Sequence, residues 1–132
     1  MIRDILHMGD PRLLQPAAAV TAFGTPELDR LLTDMRYTMA AAEGAGLAAP
    51  QIGQSLQLAV IEDREEYLQG IAPTILQERA RSVVPFHVII NPRLTVLQDT
   101  SAVFFEGCLS LDGFAALVPR ALAVRVDCLN ER

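Results

Sequence analysis

The stretch from Thr25 to Glu43 constrains this chain most, because its periodicity is the clearest in the sequence. Leu28, Leu31, Leu32, Met35 and Met39 recur at three- and four-residue intervals, which places them on one apolar stripe of a helix. Thr25 can N-cap that helix, Pro26 suits its first position, and Glu27 complements the positive end of the dipole. Gly44 follows at once, where a left-handed C-terminal residue is expected. The methionines of the stripe read as core packing and not as a cofactor site.

Met1 to Ala19 is a poor helix, since Pro11 and Pro16 interrupt it and Gly9-Asp10-Pro11 signals a turn. It is expected to wrap over the surface with Ile2, Ile5 and Leu6 facing inward. Leu56 to Glu62 and Phe86 to Asn91 read as short strands rich in Val and Ile. Asn91-Pro92 ends the second of these, and Leu94 to Leu97 begins another. Between them Glu65 to Ser82 is a polar excursion broken by Gly70 and Pro73, with a short helix expected from Thr74 to Arg81. Excursions of that size are usually functional or mobile.

From Ala121 onward Leu122, Val124, Val126 and Cys128 fall on one face of an alternating strand. Leu129 to Arg132 then reads like the start of a turn whose partner would follow, which suggests a truncated chain. The 132 residues suit one domain, spanning 1–132, and an apolar content of 51% opposes disorder. A net charge of −5, with Arg as the only strong base, opposes nucleic-acid binding, and Arg79 with Arg81 reads as a solvated helix face. No signal peptide opens the chain and no apolar run reaches bilayer length, so a soluble cytoplasmic protein without membrane contact is the default expectation.

Two short stretches carry chemistry. In Gly44 to Gln51 (GAGLAAPQ), Gly44 and Gly46 permit unusual backbone angles and close approach of another chain, while Pro50 stiffens the path to Gln51. Such a turn could hold the Gln51 carboxamide as an oxyanion donor. It reads equally as a helix C-cap entering a tight loop with Gln51 on the surface. In Glu106 to Ser110 (EGCLS), Gly107 lets the backbone turn before Cys108, and Leu109 offers an N–H beside the sulfur. A thiolate there could ligate a metal or attack a carbonyl. His7 and His87 are the only histidines available to a Cys–His hydrolase or to a three-ligand metal site, and no spacing argument pairs them with Cys108. Cys128, the other cysteine, reads as core packing, and no disulfide is expected in a reducing compartment.

GAGLAAPQ and EGCLS, with GDPRL near the start, resemble the first two signature motifs and the opening segment of the peptide deformylases. The resemblance covers essentially the whole chain. It implies an α+β fold, with antiparallel strands around a central helix that carries a third motif, HExxH. It also implies that Cys108 ligates Fe²⁺, Zn²⁺ or another divalent metal, that Gln51 and the Leu109 N–H polarise the formyl oxygen, and that the Gly46 backbone contacts substrate. The implied activity is removal of the formyl group from N-formyl-methionyl nascent peptides as they leave the ribosome.

No HExxH occurs in these 132 residues, so the two histidine ligands and the general-base Glu are absent from them. Three expectations follow. The chain is an N-terminal portion of a deformylase with the metal-binding helix missing, it binds no metal alone, and it has no deformylase activity alone. Its apolar groove would lie open to self-association. The competing readings are a non-catalytic protein that binds formyl-methionyl peptides, and a Cys108 thiol hydrolase.

Overall fold

The computed structural model describes residues 1–132. The amphipathic helix forms as α1 (Pro26–Ala41). Thr25 caps it, its hydroxyl accepting from the Leu28 N–H at 3.2 Å. The stripe packs inward: Leu28, Leu32, Met35 and Met39 are buried and Leu31 packs beside them. The helix stop differs from expectation. Glu43, not Gly44, takes the left-handed conformation at φ 54°. The Gly44 N–H bonds the Met39 carbonyl at 3.0 Å and the Glu43 N–H bonds the Ala40 carbonyl at 3.1 Å, the paired bonds of a Schellman turn.

Two antiparallel sheets make up the rest. Four strands run in the order β1 (Gly46–Ala48), β2 (Leu58–Asp63), β3 (Val84–Val96) and β6 (Val124–Leu129). A separate hairpin pairs β4 (Ser101–Gly107) with β5 (Ala115–Ala121). In the larger sheet Leu58 opposes Ile90 and Val60 opposes Val88, and all four are buried in the cluster that holds the α1 stripe. The α+β arrangement with antiparallel strands is thus as expected, with α1 as its longest helix.

Asn91-Pro92 does not end a strand. β3 runs through it by a bulge between Ile90 and Arg93, with Asn91 at φ 50°. The bulge suits Pro92, which has no N–H to offer the ladder. The Asn91 side chain also grips Val20: its Oδ1 accepts from the Val20 N–H at 2.8 Å and its Nδ2 donates to the Val20 carbonyl at 3.0 Å.

The excursion holds α2 (Glu65–Leu68) and α3 (Pro73–Glu78). Arg79 is exposed as expected, but it and the half-buried Arg81 lie past the end of α3 and both are engaged. The Arg81 guanidinium makes two bonds to Asp63, at 2.8 and 3.0 Å, and Arg79 stacks on the Phe104 ring at 4.9 Å. Cys128 is likewise not core. It stands exposed on β6, because no layer covers that face. Near the start, Ile5 reaches the core but Ile2 is exposed. A short 3₁₀ turn (Pro11–Leu14) there is capped by Asp10, whose carboxyl is held down to about 2 chiefly by its hydrogen bond from the Arg12 side chain.

Candidate active site

The turn after α1 enters β1, an edge strand, and a 3₁₀ turn over Ala49–Ile52 then carries Gln51. Gly53, at φ 79°, closes that turn. Gln51 does not float on the surface. Its Oε1 accepts from the Ala48 N–H at 2.9 Å, and its Nε2 donates to the Ser110 hydroxyl at 3.0 Å. Both ends of the carboxamide are therefore fixed, and the remaining N–H direction lies 3.9 Å from the Cys108 sulfur.

Cys108 follows β4 directly and is exposed, while Ser110 is buried. The Leu111 N–H closes a turn on the Cys108 carbonyl at 2.9 Å, which presents the sulfur and the Leu109 backbone together. The Leu109 side chain packs on the core and lies over Gly44. Glu106, just before this turn, makes a bidentate pair with Arg120 of β5, with bonds of 2.9 and 2.8 Å. That hydrogen bonding holds the Glu106 carboxyl below its usual range.

These parts line one open cleft of about 1180 Å³, which contains Gly46, Gln51, Cys108 and Leu109. All four residues singled out in the sequence meet here. His7 lines the same cleft, whereas His87 stands exposed on β3 with its Nδ1 3.0 Å from the Pro85 carbonyl. No hydrogen bond joins either histidine to Cys108. Ser110 and the N-terminal segment are contributors that sequence reasoning missed. The Leu6 N–H donates to the Gln51 carbonyl and the Met8 N–H to the Ser110 carbonyl, each at 2.7 Å. The serine was visible within EGCLS, but the two backbone bonds leave no trace in residue type.

As a metal centre the residues present fall short. No group of three His, Cys, Asp or Glu side chains converges anywhere in the structure. One thiolate is below the three protein ligands that a catalytic site requires. Cys108 can serve as a single ligand, with the Gln51 amide 3.9 Å from its sulfur.

The fold and the two apposed loops have known counterparts. The polypeptide deformylase family model matches residues 2–132, and the chain belongs to that family. It is 51% identical over 125 residues to peptide deformylase 1 of Nitrosomonas europaea, covering 95% of this chain and 66% of that protein. The chain thus spans just under two thirds of that relative's length. A peptide deformylase structure from Legionella pneumophila superposes with a TM-score of 0.78 at 39% identity, covering 99% of this chain and 67% of that one. A class I type b peptide deformylase from Acinetobacter baumannii, bound to Met-Ala-Ser, superposes with a TM-score of 0.84 at 26% identity, covering 98% and 77%.

Proposed function

We propose that this chain forms the peptide-binding half of a deformylase site, which takes N-formyl-methionyl ends of newly made polypeptides in the cytoplasm. The observation that carries the reading is the doubly held Gln51 carboxamide facing the Cys108 sulfur across the cleft. A carboxamide fixed at both ends is a preorganised donor, and such donors stabilise charge on an oxygen without reorganising. The Leu109 N–H, beside the sulfur, is the second donor to the formyl oxygen. Gly46 lies on the edge strand β1, whose open side suits an extended peptide that adds as a further strand. The Met-Ala-Ser ligand of the Acinetobacter baumannii relative has the chemistry of a deformylated product, which supports the same substrate class here.

Cys108 would be one ligand for Fe²⁺ or Zn²⁺, and such a metal would supply the activated water that hydrolysis of a formyl group needs. With only that donor, these 132 residues are expected to bind formyl peptides and not to turn them over. A thiol-hydrolase reading is less favoured, since no hydrogen bond links the thiol to His7, which shares its cleft, or to His87.

Calorimetric titration of the 132-residue chain with formyl-Met-Ala-Ser and with unformylated Met-Ala-Ser tests the binding. The formylated peptide is expected to bind more tightly, by about tenfold for each donor hydrogen bond, and Gln51→Leu is expected to lower that preference about tenfold while the Leu109 N–H remains. Equal affinities in the unmodified chain would overturn the reading. Formate release by these residues with added Fe²⁺ would overturn the expectation that they are silent.

A further inference from the structure

Asp34 and Thr38 are buried on α1 beside Met35 and Met39; Thr38 and Arg3 line the cleft that holds Gln51 and Cys108, whereas Asp34 lies outside it. A carboxylate in an apolar layer persists only where its charge is met. The groups that meet it come from the start of the chain. Arg3 donates to Asp34 through Nε at 2.8 Å and approaches through Nη2 at 2.7 Å, and the Met1 ammonium reaches the other carboxylate oxygen. The Arg3 N–H also donates to the Thr38 hydroxyl at 2.8 Å. A few residues on, the same segment ends in the two bonds to the site, from Leu6 to the Gln51 carbonyl and from Met8 to the Ser110 carbonyl.

Apolar contact cannot be what fixes this segment. Ile2, His7 and Met8 are exposed, and Ile5 is its one residue packed against the buried cluster. Charge-assisted hydrogen bonds to a buried carboxylate are the stronger attachment. The span from Arg3 to Leu6 is also too short to take up slack.

We infer that Met1 to Met8 is a strap that sets the separation of the Gln51 and Ser110 loops, and that Asp34 is a remote positioning residue acting through it. The substrate of the site so positioned rests on the function proposed above, but the strap does not. Without the anchor, the two pins would tie the loops to a segment free to move, and the Gln51–Ser110 side-chain bond alone would hold one loop against the other.

Residue-resolved hydrogen exchange on the 132-residue chain tests this with Asp34→Asn and, from the exposed side of the same link, Arg3→Gln. The Leu6 and Met8 amides are expected to exchange about tenfold faster in both variants, while the Met35 and Met39 amides keep their rates. Protection of Cys108 from iodoacetamide by formyl-Met-Ala-Ser is expected to fall in parallel. Unchanged exchange at Leu6 and Met8 in both variants would overturn the inference. So would a uniform acceleration that includes α1, which would make Asp34 a stability residue only. Should the peptide fail to protect Cys108 even in the unmodified chain while Leu6 and Met8 still respond, the strap stands and the peptide reading falls.

Discussion

A methyl group added at Gly44 would lie 2.7 Å from one terminal carbon of Leu109 and 3.3 Å from the other. Gly44 is therefore glycine because of what packs on it, and the left-handed helix stop falls instead on Glu43. Gly44→Ala must displace Leu109, whose side chain is wedged against the core and whose N–H adjoins Cys108. Overpacking of this kind costs about 1–3 kcal/mol. Urea unfolding should show that loss for Gly44→Ala alone, and almost none when the same change is made in a Leu109→Ala background. Equal costs in the two backgrounds would mean that the contact is not what excludes a side chain. The glycine was legible as special in the sequence, but its reason was not, because Leu109 is brought onto it only by the fold. The same holds for Gln51 and Cys108, which lie 57 positions apart and meet only when β4 folds back.

Elements governed by local rules could be read directly. The Thr25 cap, Pro26 and the apolar stripe of α1 all act within a few residues of one another, and the helix sits where they put it. The strand on either side of Asn91-Pro92 could be read, but not its continuity as β3, because the pair obeys a local breaker rule that tertiary contacts override. The Asn91 carboxamide satisfies both backbone groups of Val20, and that exchange holds the bulge in place. Asn91→Ala removes both bonds, strands a backbone donor and acceptor, and puts at φ 50° a residue that tolerates the left-handed region less well than asparagine. A loss of about 2–4 kcal/mol is expected, from two unmet backbone groups and the left-handed strain. Asn91→Gly keeps the strain low but not the bonds, so its denaturation midpoint should fall between those of the alanine variant and the unmodified chain. A glycine variant as stable as the unmodified chain would show that the Val20 grip contributes nothing.

Across the whole molecule the alternating pattern of the last strand was read correctly as a face, but its environment was not. Leu94 opposes Val126 and Val96 opposes Val124, so these four share one side of the sheet, and all are exposed. Cys128 follows on the same side. On the hairpin, Phe105 opposes Leu117 and both are exposed, while the other side is occupied by Phe104 under Arg79. Periodicity reports which residues share a face and says nothing of what covers it. Only 16 of the 132 residues are buried, and large apolar side chains stand exposed on both uncovered faces. Each Å² of that surface removed from water contributes about 25 cal/mol, and β6 adds an unpaired edge. Sedimentation velocity on the 132-residue chain should therefore show mass rising with concentration in the micromolar range. Phe105→Ser with Leu117→Ser should shift it toward monomer, and Val124→Thr with Val126→Thr should do the same independently. A chain that remains monomeric throughout and melts in one sharp transition when dilute would sink this prediction, because the exposed faces would then be tolerated in water without a partner.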